Sequence, residues 1–342
     1  MNYTLDASTV VNYLASRSLI RPKDVTSVES LGWGISNTLV KVATHDDCMV
    51  VKQSLPKLRV EDDWFADQSR IFRERVCIDI LGEILPEGIL PTILDEDTDN
   101  FLFVMSCAPV GGVNWKEQLL AGQVDTDVAE KVGSVLGIVH LETADSAGIR
   151  EQFIDDAPFV QLRIDPYHWT TAKAYPDLAK IINVEAQRML DIKIALVHGD
   201  YSPKNVIVTG KDIFLLDFEV AHYGNPVFDL AFLLNHLLLK AILNVHIKQS
   251  YFEAVAAFWK GYTLESAPVS LEKDTVKQLG CLMLARISGK SPAEYIAKAE
   301  TKAIVRNIAR SILLDDLATL SEVVDLVDSV LSWPGYFLRE SV

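Results

Sequence analysis

The sequence predicts an α+β chain of two lobes: a small antiparallel β-rich lobe over residues 1–107 and a large, mainly helical lobe over 108–342. Three observations predict it. The stretch Val25 to Gln53 is rich in β-branched residues and is punctuated by Gly and Asp turns, the texture of antiparallel strands. Beyond Gly111 the pattern becomes predominantly helical. The length of 342 residues, 49% of them hydrophobic, suits two lobes with large cores.

The elements follow in order. Ser8 or Thr9 caps a first helix carrying Val10, Val11, Leu14 and Leu19. Strands fill 25–53, and a helical pattern runs from Asp67 to Leu85. "GILPTILDEDTDNFLFVMSCAP" then reads as two strands joined by an acidic turn, which completes a five-stranded sheet with one inserted helix. A linker lies near Ala108–Gly112. Helices are expected over Trp115–Leu120, Val128–Glu142, Tyr175–Asp191, Asp229–Ala256, Val276–Leu284, Pro292–Ser311 and Asp315–Leu331. Two short strands, Val206–Val208 and Ile213–Leu216, interrupt them.

Composition excludes some functions. A net charge of −15 argues against nucleic acid, whose phosphates need clustered Lys and Arg, and against an anionic membrane surface. It is compatible with a cationic substrate. Cys48, Cys77, Cys107 and Cys281 form no CxxC pair and read as reduced, buried thiols of a cytoplasmic protein. The N-terminus has no basic region followed by a long apolar run, so no secretory leader is expected, and no segment reads as membrane-spanning.

The chemistry concentrates in "LVHGDYSPKNVIVTGKDIFLLDFE", Leu196 to Glu219. Asp200 and Asn205 share a loop before one strand, and Asp217 ends the next, so a short hairpin gathers them. An Asp and an Asn can hold Mg²⁺ by hard oxygen ligands and leave positions for phosphate and water. The remaining carboxylate can accept a proton from a substrate hydroxyl. Any one of these residues alone would be read as a turn former. All three at these spacings, after His198 and Gly199, point to phosphoryl transfer.

"HGDYSPKNVIV" followed by "IFLLDFE" resembles the aminoglycoside phosphotransferase and choline kinase-like superfamily, over residues 25–240 of this chain. The resemblance implies a protein-kinase-like fold, ATP and Mg²⁺ as cofactors, a small-molecule hydroxyl acceptor, Asp200 as catalytic base and Asn205 with Asp217 as metal ligands. It implies further residues that bind the nucleotide. Lys52, in "CMVVKQ", would neutralise the α- and β-phosphates. Glu74 is the charged residue in the helical stripe Ile71, Glu74, Ile78 and Leu81, and is expected to hold Lys52; Glu61 and Glu83 lie outside the stripe. Ser36 and Asn37, in "LGWGISNTLVKV" with Gly32 and Gly34, would reach phosphate oxygens. By the same resemblance Met105 is the gatekeeper, while the Ser106 carbonyl and the Ala108 N–H meet the adenine edge.

The acceptor is less constrained. "MVVKQSLPKLR" and "DFEVAHYGNPVFDLAF" resemble methylthioribose kinases, although Asn205 departs from their pattern. Candidate acceptor residues are Tyr201 and Glu219, with His222 and Tyr223, beside the hairpin. "LRIDPYHWT" adds Arg163, Asp165, Tyr167, His168 and Trp169, and "LARISGKSPAEY" adds Arg286 and Lys290. Asp229 is expected to brace the catalytic loop and His140 to be a core histidine. The competing reading is a catalytically silent, kinase-like nucleotide-binding module. Such a protein would have lost the lysine, the catalytic Asp or the metal Asp, and all three are present. A protein kinase is disfavoured by the missing third loop glycine and by HGD in place of HRD.

Overall fold

The computed structural model describes residues 4–32, 36–59, 65–265 and 271–332. The chain divides into two compact units, Met1–Gly112 with Phe214–Ala221, and Val113–Ile213 with His222–Val342. The division falls at Gly112, slightly past the expected boundary, and the short segment containing Asp217 and Glu219 belongs with the first unit.

The first unit is the expected five-stranded antiparallel sheet. Its strands are β1 (Val25–Leu31), β2 (Asn37–Thr44), β3 (Cys48–Ser54), β4 (Ile93–Asp97) and β5 (Leu102–Ser106), in the order β1-β2-β3-β5-β4. Alternation along β3 decides which side each residue serves. Met49 and Val51 join Val40, Val42, Leu102 and Val104 in a core closed by Leu5, Val10 and Leu14, the last two from helix α1 (Val10–Ser16). Lys52, one residue on, points to the opposite face of this central strand, where it pairs in register with Leu39 and Phe103. Helix α2 (Arg70–Gly82) turns Arg70, Ile71, Glu74, Cys77, Ile78 and Leu81 inward. At the start of α1 the Asp6 carboxylate, and not Ser8 or Thr9, accepts from the Ser8 and Thr9 N–H groups.

The cysteine reading needs correction. Cys77 and Cys281 are buried free thiols, but Cys48 and Cys107 form a disulfide. Sheet register explains it. Met49 pairs with Ser106 on neighbouring strands, so the next residues outward are Cys48 and Cys107, with Cα atoms 5.5 Å apart. Strand adjacency between distant segments cannot be read from cysteine spacing.

The second unit is mainly helical. It begins with β6 (Val113–Asn114), α3 (Trp115–Leu120), α4 (Thr126–Thr143), α5 (Ala147–Phe153) and the short α6 (Ala157–Phe159). The stretch Val160–Trp169 forms wide π-helical turns with Pro166 inside, leading into α7 (Thr170–Ala174) and α8 (Ala179–Asp191). A proline lacks the N–H that a regular turn needs, which favours the widening. β7 (Ala195–Val197), β8 (Val206–Thr209), β9 (Asp212–Leu215) and β10 (His222–Gly224) follow, with β7 paired to β10 and β8 to β6. The remaining helices are α9 (Val227–Leu243), α10 (Lys248–Glu265), α11 (Glu272–Ser288), α12 (Ala299–Leu314) and α13 (Leu320–Ser332).

The helix expected over Asp229–Ala256 is thus two helices, bent by 112° at the break. Asn244 leaves helical geometry (φ −113°, ψ 60°), and its amide donates to the Tyr251 hydroxyl at 3.0 Å. Asn competes with the backbone for such bonds and so ends helices. The helix expected from Pro292 begins only at Ala299, because the backbone after Ser291 turns back, with Ala293 N–H donating to Arg286 O. Helices α4 and α10 approach with almost no gap. A Cβ on Gly133 would stand 2.0 Å from Phe258 O, and one on Gly261 2.0 Å from Glu130 O. Among the described residues no single helix is long and apolar enough to cross a membrane.

Candidate active site

In the first unit, Lys52 is the centre of a buried charge cluster. Its Nζ donates to Glu74 Oε1 at 2.8 Å, lies 2.6 Å from Glu74 Oε2, and donates to Asp217 Oδ1 at 2.5 Å. Burial alone would lower the Lys52 pKa, but Asp217 and Glu74 outweigh it and hold the ammonium above the ordinary lysine value. Glu74 is pushed up to about 7, by burial first and then by the competing charge of Asp217, although Lys52 opposes the rise. One lysine serves two carboxylates, so the more deeply buried one keeps its proton more readily. Asp217 adopts left-handed backbone geometry, φ 72°.

Glu219 is a second hub in the same unit. Its oxygens accept from Ser36 Oγ at 2.5 Å, Asn37 Nδ2 at 2.9 Å and Arg70 Nε at 2.9 Å. Arg70 also donates to the carbonyls of Ser36, Leu55 and Asp67. Glu219 is therefore a structural partner of the β1–β2 turn and α2. Among the described residues these hydrogen bonds all lie within the first unit. Ser36 and Asn37 have their side chains engaged by Glu219. Gly34 and Glu61 lie outside the described residues, and Glu83 caps the exposed end of α2. Sequence reading overlooked Arg70. Its signal was present: it stands four residues before Glu74 on the same inward stripe.

On β5, Met105 is buried and Ser106 N–H donates to Thr92 O at 2.9 Å. The Ala108 N–H donates no hydrogen bond among the described residues.

In the second unit, the loop after β7 is tied down from below. Asp229, at the start of α9, accepts from His198 N–H at 2.7 Å and Gly199 N–H at 2.9 Å, with His140 Nε2 3.4 Å away. Gly199 has φ 75°, which a glycine adopts without strain. His198 Nδ1 accepts from Asp200 N–H at 3.2 Å, a bracing role. Above this brace the buried Asp200 turns Oδ2 toward Arg163 Nη2 (3.0 Å), Lys204 Nζ (2.8 Å) and Asn205 Nδ2 (3.0 Å). Asn205 Nδ2 also donates to Asp200 O at 2.9 Å.

The acceptor candidates separate. Arg163, Tyr167 and Arg286 gather with Asp200: Arg163 lies over the Tyr167 ring, and Arg286 Nη1 donates to the Tyr167 hydroxyl at 3.2 Å. Four others are placed elsewhere. Tyr201 is buried and donates to Val132 O at 2.7 Å. His168 is buried against Gln278, 3.1 Å away, and Trp169 faces solvent. Their neighbours on the π-helical stretch point to different sides because successive residues are about 100° apart or less. His222 stacks on Phe159 with ring centres 3.9 Å apart. The sequence reading missed a cluster of His236, Lys240 and Tyr295, with His236 Nδ1 3.1 Å from the Tyr295 hydroxyl and Lys240 Nζ 4.9 Å from its ring centre; they sit on apolar helix or in an irregular loop, with no motif to mark them.

Comparison with known proteins accords with this arrangement. The model of the phosphotransferase enzyme family matches residues 27–259. A methylthioribose kinase of Bacillus cereus (strain G9842) is 23% identical over 348 residues, with 88% of each chain covered. Another from Bacillus cereus (strain 03BB102) is 24% identical over 361 residues, with 91% of each covered. Among solved structures, a choline/ethanolamine kinase family protein from Mesorhizobium loti superposes with a TM-score of 0.57 at 14% identity, covering 94% of this chain and 99% of that one. An amicoumacin kinase in complex with AMP-PNP, Ca²⁺ and Ami gives 0.55 at 15% identity, covering 92% and 96%. The fold is kinase-like, as the sequence implied. The chain belongs to the phosphotransferase enzyme family and is a small-molecule phosphotransferase.

Proposed function

We propose that the protein is an ATP- and Mg²⁺-dependent kinase that phosphorylates a hydroxyl group of a small molecule. The observation that carries this reading is Asp200, a buried carboxylate held by Arg163, Lys204 and Asn205 on a loop braced by Asp229. In this reading Asp200 accepts the proton of the acceptor hydroxyl as its oxygen attacks the γ-phosphorus of ATP, the bond to the β–γ bridging oxygen breaks and ADP leaves. Arg163 and Lys204 orient the carboxylate. Lys52 neutralises nucleotide phosphates, and Glu74 keeps it in place. The Ala108 N–H and Ser106 carbonyl receive the adenine edge beside Met105. Ser36 and Asn37 contribute through backbone N–H groups, since Glu219 takes their side chains.

Carboxylate and amide oxygens are the hard donors that a divalent cation takes. Asp217 offers a carboxylate, and Asn205 an amide oxygen that accepts no hydrogen bond among the described residues. Phosphate oxygens and water would complete the shell of such a cation. When bound, Mg²⁺ neutralises charge on the transferring phosphoryl group. The amicoumacin kinase complex with AMP-PNP and Ca²⁺ supports nucleotide and divalent-ion use.

Asp200→Asn tests the assignment. Turnover of ATP with a responsive acceptor should fall about 10²–10⁴-fold, while nucleotide affinity measured by calorimetry stays unchanged. Near wild-type turnover would remove Asp200 from the catalytic role.

A further inference from the structure

Around Asp200 the second unit is locally basic, against the acidic balance of the whole chain. Arg286 is 8% exposed, and its Nη1 donates to the Ser291 carbonyl, to the Tyr167 hydroxyl at 3.2 Å and to Ser291 Oγ at 3.2 Å. Its Nε has no hydrogen-bond partner, and no carboxylate lies within ion-pairing distance among the described residues. Lys240 is fully buried. Its Nζ has a single long bond, 3.3 Å to His236 O, and stands 4.9 Å from the Tyr295 ring centre. It too has no carboxylate partner among the described residues. Burial, then Lys116 and Arg286, pull its ammonium down to about 7.

The acids nearby are already committed. Asp200 is held by Arg163 and Lys204, and Glu294 by Lys116. Positive charge is therefore left over. Tyr167 registers it: burial works to raise the phenol pKa, but Arg286 and Arg163 overcome it and lower the value. A buried, unpaired cation is costly unless a partner meets it. Arg286, across the Tyr167 ring from Arg163, which pairs with the base, points to a partner that arrives with the substrate.

The path from base to cation is short. Arg163 pairs with Asp200 at 3.0 Å and stands 5.8 Å from the Tyr167 ring centre, and Arg286 stands 6.0 Å from the same ring. We infer that the acceptor carries an anionic group, a carboxylate or a phosphate, beside the hydroxyl it offers to Asp200, and that Arg286 backed by Lys240 receives that group. The inference rests on the phosphotransferase reading for the hydroxyl, but the anion site stands on its own geometry. Cationic acceptors, such as amino alcohols and aminoglycosides, would meet like charge there.

Two measurements on the full chain test it. In the first, inorganic phosphate and acetate are titrated by calorimetry at fixed ionic strength against wild type, Arg286→Gln, Arg286→Lys and Lys240→Met. Affinity should fall about tenfold in Arg286→Gln and Lys240→Met, with part regained in Arg286→Lys. Because Arg286 also braces Ser291, Lys240→Met serves as the variant with no such bond to lose. Equal affinity across all four proteins would overturn the site. In the second, ATP consumption is followed with glucose, glucuronate, glucose 6-phosphate and glucosamine. The anionic sugars should exceed glucose about tenfold in kcat/KM, and the better of the two identifies the anion. Preference for glucose or glucosamine would overturn the inference while leaving the kinase reading intact. No transfer to any sugar, with Arg286-dependent anion binding intact, would support the anion site and count against the kinase reading for this scaffold.

Discussion

The two units treat buried charge in opposite ways. In the first, Lys52 meets Glu74 and Asp217, and Arg70 meets Glu219, so each buried cation has an acid at hydrogen-bond distance. In the second, Asp200 is shared by two cations, while Arg286 and Lys240 have no acid of their own among the described residues. The first network is closed and holds the sheet, α2 and the segment 214–221 in one arrangement. The second has a surplus that a ligand can satisfy. The contrast separates charge that maintains shape from charge that selects a molecule.

The closed network should break most severely at Glu219. Glu219→Ala leaves the Arg70 guanidinium buried without its acid, and removes the acceptor of Ser36 and Asn37. The expected loss is about 3–5 kcal/mol of unfolding free energy, read from denaturant midpoints. A loss below 1 kcal/mol would mean that Arg70 is satisfied by its carbonyl partners alone.

Next in size is the coupling of Lys52 with Glu74. Lys52→Ala and Glu74→Ala should each lower kcat/KM, and the double variant should be little worse than either. The coupling in such a cycle should reach up to about 3 kcal/mol. Strictly additive losses would show that the two residues act separately despite their contact.

A third test sharpens the second unit. Burial holds the His168 pKa at about 4, against an ordinary value of 6.5, although Gln278 opposes the shift. The unfolded chain therefore takes up this proton first as pH falls. The stability from His168 is complete above pH 6.5 and is lost between 6.5 and about 4. By pH 5 the loss from this residue should be about 2 kcal/mol. His168→Leu should lose that much less than wild type between pH 7.5 and 5. Parallel acid curves would place the titrating group elsewhere.

The smallest effect concerns Asp217. Asp217→Asn preserves a residue type that tolerates left-handed backbone, so the change is mainly one of charge. It should weaken Mg²⁺–ATP binding about tenfold more than metal-free ATP binding. Equal weakening in both would make Asp217 a partner of Lys52 alone.

Much of the first unit was legible because its signals are local. β-Branched alternation gives the strands, and a charged residue inside an apolar stripe gives Glu74. The D-x-x-x-x-N spacing likewise locates Asp200 and Asn205, since the loop that holds them is contiguous. What escaped depends on neighbours distant in sequence. Cys48 and Cys107 become adjacent only through the β3–β5 register. Glu219 appears next to the acceptor candidates in sequence, yet its partners lie 149 to 183 residues away. Lys240 sits in the apolar run "LLNHLLLK", where a terminal lysine ordinarily reaches solvent. Asn244 was visible, but a single Asn is a weak helix stop until a partner such as Tyr251 is placed beside it.

The Cys48–Cys107 bond has a topological consequence. It closes a covalent ring with a sequence separation of 59. Lys52, Glu74 and the whole of α2 lie on that ring. A single backbone cut anywhere within it opens the ring without dividing the molecule. On a denaturing gel the nicked chain should migrate as one species until reductant is added, and then as two. Nucleotide protection against a protease could therefore be scored on this ring by comparing reduced with unreduced lanes.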